Sequence, residues 1–169
     1  MNTDYDTFSA ELLQAIPALR RYCYALTGSA ANADDLLQSS AEKALSRWHQ
    51  FEVGTHFDRW LYRLCRNLWI DAMRRDKPTE EWLEDEGIYS QGLSLEQEIG
   101  HEISLDLVHA KMNNLSSALR TVLYLIAVEG RSYQEAAEIL EIPIGTVMSR
   151  LSRARKQLSG AFGGTGDLI

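Results

Sequence analysis

The 169-residue chain has little of what staples or anchors a protein: two cysteines, three prolines and no long apolar run. Cys23 and Cys65 are too few for a disulfide framework, and each sits in a helical pattern among aliphatic neighbours. They read as plain buried thiols, with redox sensing as the alternative. Few prolines and long helical periodicities argue for an all-α fold. The longest apolar run, Val122 to Val128, is far below the roughly 20 residues of a membrane span. The acidic start resembles no signal peptide, so a cytoplasmic protein is expected. His49, His56, His101 and His109 make no metal spacing with either cysteine. No Gly-rich phosphate loop precedes a helix, and the acidic cluster from Glu80 to Glu86 reads as solvated linker rather than paired carboxylates. An enzyme is the least favoured class, and no metal or cofactor is expected.

What is present is 45% apolar content, enough for one ordinary domain or two small ones. The net charge of −7 is unevenly spread: residues 1–76, 77–103 and 104–169 carry −1, −7 and +1. Both ends can therefore present basic faces despite the overall sign, and residues 77–103 read as an acidic connector. The expected organisation is two helical domains, 1–76 and 104–169, with a Gly-rich tail from Gly160 that reads as flexible.

Residues 132–156, SYQEAAEILEIPIGTVMSRLSRARK, have the grammar of a helix-turn-helix, which points to DNA. Ser132 and Glu135 have capping-box spacing ahead of Ala136, Ile139 and Leu140. Pro143 suits the first turn of a second helix, in which Ile144, Val147, Leu151, Ala154 and Leu158 form an apolar stripe. The other face offers Thr146, Ser149, Arg150, Arg153 and Lys156 to base edges and phosphates. The alternative is an ordinary solvated face. A scaffold helix, Leu115 to Val128, is expected ahead of it, capped by Asn114 or Ser116, with Leu119, Val122, Leu123 and Ile126 inward and Gly130 ending it.

In the N-terminal half, Leu12 to Thr27 gives a helix with Leu12, Leu13, Ile16, Leu19, Tyr22, Cys23 and Leu26 on one side, and Pro17 should kink it or mark its start. Asn32 can cap the next helix, with Asp34 and Asp35 in its first turn and Leu36, Leu37, Ala44, Leu45 and Trp48 on its buried side. Its outer side is Asp34, Asp35, Gln38 and Glu42. A third helix, Phe57 to Arg75, turns Phe57, Trp60, Leu61, Leu64, Leu68 and Ala72 inward. Arg59, Arg63, Arg66 and Arg74 form a basic stripe on it.

The segments Asp35 to Gln38 and Phe57 to Arg75, together with Ser132 to Lys156, resemble the σ2 and σ4 domains of the extracytoplasmic-function (group 4) sigma factors of bacterial RNA polymerase. The resemblance spans about residues 10–76 and 104–158. It implies that Asp34, Asp35, Gln38 and Glu42 dock on the polymerase β′ subunit, with β as a further core contact. The loop Phe51 to His56 would accept a base extruded from the minus-10 element, while Arg59, Arg63, Arg66, Asn67, Arg74 and Arg75 line the strand. Thr146, Ser149, Arg150, Arg153, Arg155 and Lys156 would hold the minus-35 element, Arg155 from an angle beside the apolar stripe. Promoter DNA, core polymerase and an anti-sigma factor are the implied partners. The acidic connector would compete for the basic faces in the free chain.

Three departures from the family pattern bear on these roles. Glu141 stands at a turn site where Gly is usual, Met148 where a basic residue is common, and Ser39 and Ala41 replace an acid and an aromatic in the docking helix. Two rival readings are a sigma-like mimic that binds an anti-sigma factor without initiating, and a dimeric helix-turn-helix regulator. The first should lack the basic face of the third helix; the second leaves that face unexplained.

Overall fold

The computed structural model describes residues 3–76 and 110–161. The expected connector 77–103 and the tail beyond Ala161 lie outside the described residues. Six helices carry the described fold: α1 (Thr3–Thr27), α2 (Ala30–Ser46), α3 (Phe57–Asp76), α4 (Ser117–Leu123), α5 (Tyr133–Leu140) and α6 (Ile144–Ala161). A 3₁₀ turn, Trp48–Gln50, follows α2, and a π turn, Tyr124–Val128, extends α4. There is no strand among the described residues. They form two compact units: 3–76 together with 137–142, and 110–136 together with 143–161.

In the first unit α1, α2 and α3 pack on one another. Gly28 leaves α1 with φ 71°, a left-handed exit that suits a residue without Cβ. The cap of α2 is Ser29, whose hydroxyl accepts from the Asn32 N–H at 3.4 Å. This corrects the expectation for Asn32, which lies inside the first turn. The core holds Phe8, Leu12, Leu19, Tyr22, Cys23 and Leu26 of α1, Ala33, Leu36 and Ala44 of α2, and Leu61, Tyr62 and Cys65 of α3. The Tyr22 and Tyr62 rings stack with centroids 4.4 Å apart, and beside them the Cys23 and Cys65 thiols meet at 3.4 Å. Both cysteines are buried and free. Each fully buried Leu contributes about 1.5–3 kcal/mol relative to exposure.

Three further expectations in this unit change. Helix α1 starts at Thr3 and runs through Pro17. The missing Pro17 N–H would have bonded the Leu13 carbonyl, which lies on the solvent side, where the Leu13 side chain is 73% exposed. Leu13 is therefore not core; it stands roughly 120° from the centre of the buried stripe at 100° per residue. Leu45 is exposed for the same angular reason, while Ser40, a polar residue, takes the buried position.

In the second unit Ser116 caps α4 by accepting from the Leu119 N–H at 3.3 Å. Leu119, Val122 and Leu123 are buried as expected, but beyond them Leu125 is fully buried and Ile126 only partly. The π turn explains the shift: the Glu129 N–H reaches the Tyr124 carbonyl at 3.1 Å, five residues back, so the inward face slips relative to an unbroken α period. Gly130 ends the element with φ 69°. Helix α4 packs along α6, whose Val147, Leu151, Ala154 and Leu158 are buried. Ile144, expected on that stripe, is 41% exposed; as the first residue of α6 it precedes the packed turns.

Candidate nucleic-acid interface

The outer face of α2 holds Asp34, Asp35, Gln38 and Glu42, all exposed, within an arc of roughly 100°. Asp34 Oδ1 sits 3.1 Å from Arg20 Nε, and Gln38 donates to Glu42 Oε1 at 3.2 Å. The group is thus a polar patch, one carboxylate of which already has a surface counter-ion.

Between α2 and α3 an open cleft of about 380 Å³ is floored in part by Trp60, Leu64 and Leu68 and rimmed by Lys43, Arg47, Gln50, Arg63, Asn67 and Asp71. Trp60 belongs to a four-ring cluster with Phe8, Phe51 and Phe57, at centroid distances of 5.8, 5.5 and 5.9 Å. Its role is packing, as its place on the apolar stripe suggested, with one side left toward the cleft. Phe51 is the buried anchor of the loop before α3, and the rest of that loop is exposed. Gly54 turns it with φ 94°, and the Glu52 carbonyl accepts from the Thr55 hydroxyl at 2.6 Å and the Thr55 N–H at 3.2 Å. Exposed His56 precedes the helix, and its carbonyl takes the Trp60 N–H.

Along α3, Arg59, Arg63, Arg66, Asn67 and Arg74 share an arc of roughly 100° and Arg75 stands about 100° further round. Arg63, Asn67, Arg74 and Arg75 are exposed. The side chains of Arg59 and Arg66 are only 22% and 17% exposed. Arg59 Nη1 lies 2.8 Å from Glu138 Oε2, and Arg66 Nη1 lies 3.8 Å from Glu141 Oε2. Both carboxylates belong to the 137–142 segment of the same compact unit. Arg75 Nε donates to the Asp71 carbonyl at 3.4 Å.

Lys43, Arg47 and Gln50 were not singled out from the sequence. The signal was there: Lys43 and Arg47 are spaced i, i+4, which puts two cations on one side of a helix end. What the sequence did not reveal is that this side faces Arg63 and Asn67 across a cleft.

The helix-turn-helix is α5, its turn and α6. Ser132 caps α5 by accepting from the Glu135 N–H at 3.1 Å. The Glu135 carboxylate lies 3.6 Å from Arg131 Nη1. Ala136, Ala137, Ile139 and Leu140 are buried. Glu141 takes φ 54°, and the Ile142 N–H returns to the Ala137 carbonyl at 3.1 Å. The turn thus keeps the left-handed geometry that Gly usually supplies and holds it with a six-to-one hydrogen bond. Pro143 stands just ahead of α6, and its carbonyl accepts from Thr146 and Val147.

On α6, Ser149, Arg153, Arg155 and Lys156 are exposed, while Thr146 and Arg150 are half-buried. Ser149 Oγ donates to the Thr146 carbonyl at 3.1 Å. The Nε of Arg150 is shielded from solvent. Arg155 clears the apolar stripe. Neither cationic row is sealed inside its bundle.

These features define an all-α protein with a helix-turn-helix at its C-terminal end. Residues 105–158 match the family model described as Sigma-70, region 4, and residues 12–66 match Sigma2 domain of PhyR. The chain is 31% identical to the ECF RNA polymerase sigma factor EcfG of Rhodopseudomonas palustris (strain TIE-1), across 91% of this chain and 84% of that relative. It is 33% identical to the ECF RNA polymerase sigma factor SigW of Bacillus subtilis (strain 168), across 80% and 78%. Among solved structures, the sigma factor RpoE in complex with the anti-sigma factor NepR from Bartonella quintana matches at a TM-score of 0.71 and 32% identity, covering 92% of this chain and 96% of that one. The chain belongs to the extracytoplasmic-function sigma factors of RNA polymerase.

Proposed function

We propose that this chain is a promoter-specificity subunit: it joins core RNA polymerase, recognises two DNA elements with separate domains, opens the downstream one and supports initiation. The observation that carries the reading is the presence, on one chain and in order, of segments matching a sigma region 2 domain and sigma region 4. Exposed arginines on α3 and on α6 support it. In this reading residues 1–76 and 104–169 are the two functional domains and 77–103 their connector. The Asp34, Asp35, Gln38 and Glu42 patch meets the polymerase, where polar contacts suit a partner that must later be released. Arg59, Arg63, Arg66, Asn67, Arg74 and Arg75 hold the downstream strand, with Lys43 and Arg47 added across the cleft. The exposed loop up to His56 accepts an extruded base, which costs a few kcal/mol and needs both a pocket and nearby cations. Thr146, Ser149, Arg150, Arg153, Arg155 and Lys156 hold the upstream element.

Two weak DNA contacts carried on one polymerase act at high effective concentration, so neither needs to bind tightly alone. The chemistry of RNA synthesis stays with the polymerase, and the chain works in the cytoplasm. Because the Bartonella quintana relative was solved with an anti-sigma factor, an anti-sigma partner is the regulator expected here.

The match of residues 12–66 to the PhyR domain favours a second reading, an adaptor that binds an anti-sigma factor without initiating. The exposed Arg63, Arg74 and Arg75 on α3 weigh against it. In vitro transcription with purified core enzyme on genomic promoter fragments separates the two. A chain that drives initiation is a sigma factor; one that binds core or an anti-sigma protein and never initiates is the adaptor.

A further inference from the structure

Helix α6 carries an apolar feature that the polar and cationic contacts do not use. Ile144 and Met148, one helical turn apart, are 41% and 48% exposed. They begin a ribbon at i, i+4, i+8 and i+11 that continues with Ser152 and Arg155, both exposed. Its N-terminal end is hydrocarbon and its far end is a guanidinium. In a helix-turn-helix the N-terminal residues of the second helix meet base edges, and the later cations meet the backbone. The neighbouring hydroxyl is engaged inside the helix, since Ser149 Oγ donates to the Thr146 carbonyl. At this level of the groove the adaptable free side chain is therefore a thioether. The C5-methyl of thymine is the apolar group that major-groove base edges display, and a flexible, polarisable Met suits it.

We propose that Met148 is a specificity-determining residue of the upstream-element contact and recognises thymine by packing on its methyl group, with Ile144 shielding that contact from water. This rests on the reading of α6 as the upstream-element helix. A basic residue at the same place would favour phosphate or guanine; Met favours a methyl-bearing base.

The test uses the full chain with core polymerase. Promoters recovered by run-off transcription from genomic fragments are resynthesised with single thymine-to-uracil replacements in the upstream element, each removing one methyl and no hydrogen-bonding group. At one or two positions uracil should weaken holoenzyme binding about fourfold, the value of one buried methyl. Met148→Ala should lose a similar factor on thymine DNA and no longer distinguish uracil there, while Met148→Leu keeps the discrimination. Equal uracil penalties in wild type and Met148→Ala overturn the proposal while initiation stands. So does the absence of any uracil penalty, or an upstream element with no thymine on either strand. Failure to initiate from any fragment overturns the underlying reading as well. The uracil comparison is made within each protein, so a change in folding cannot imitate the result.

Discussion

Individual residues of this protein stand where general rules would put others, and each such position has a measurable consequence. Glu141 occupies a left-handed backbone conformation that costs a residue with Cβ about 1 kcal/mol. Its carboxylate is half exposed and 3.8 Å from Arg66, a pairing too long and too wet to offset much of that. Glu141→Gly should therefore raise stability by roughly 0.5–1 kcal/mol, seen as a melting temperature a few degrees higher; an unchanged or lower value would show that the carboxylate contact outweighs the strain. The buried Tyr22 and Cys23 set the behaviour at high pH. Burial pushes the Tyr22 phenol well above its ordinary 10.0, and the hydrogen bond with Cys65, together with burial, pushes the Cys23 thiol up from 9.0. In the unfolded chain these groups release protons above those ordinary values, whereas the folded chain retains them. Their contribution is fully present below pH 9 and is lost as pH rises toward the folded values. Denaturant titrations should show stability falling above pH 9, by about 1.4 kcal/mol per pH unit for each group that has begun to titrate. The fall between pH 9 and 10 should be shallower in Cys23→Ala.

At the scale of elements, α3 combines an apolar side that builds the first bundle with a cationic flank, and the two can be separated experimentally. Arg63→Ala with Arg66→Ala should cut promoter opening at least tenfold, from two charge-assisted contacts of about 1 kcal/mol or more each, while core association is unchanged. Loss of core association instead would reassign the helix. Much of this element was legible in the sequence, because Arg59, Arg63, Arg66 and Arg74 recur at helical spacing and the fold needs only the α period to place them. Residue type at the helix starts marked the cap at Ser132 and left Asn114 and Ser116 as alternatives for the scaffold helix, of which Ser116 is the cap. Local events that periodicity does not encode account for part of the difference. Leu125 replaced Ile126 in the core because a π turn advances the register. Leu13 and Leu45 are apolar but lie off the buried arc that the α period itself defines, and Ser29 is the cap in place of Asn32 because α2 begins earlier. Lys43 and Arg47 needed tertiary information, since only the packing of α2 on α3 puts them on the rim of the cleft.

At the scale of the whole molecule, charge is partitioned along the sequence: residues 1–76 carry −1, residues 104–169 carry +1, and residues 77–103, the proposed connector, carry −7. If that connector competes with DNA for the basic faces, neutralising Glu80, Glu81, Glu84, Asp85 and Glu86 to Gln and Asn should strengthen promoter binding by the free chain and weaken its dependence on salt. Equal binding by the two chains at low ionic strength would remove the connector from the account. Holoenzyme binding should change less if, as proposed, the polymerase holds both domains near their elements. The ring cluster of Phe8, Phe51, Phe57 and Trp60 ties the root of the exposed loop to an indole. If the loop receives a nucleobase as proposed, a displacement of Phe51 would also alter the surroundings of that indole, so the protein would report its own duplex opening through a built-in fluorophore.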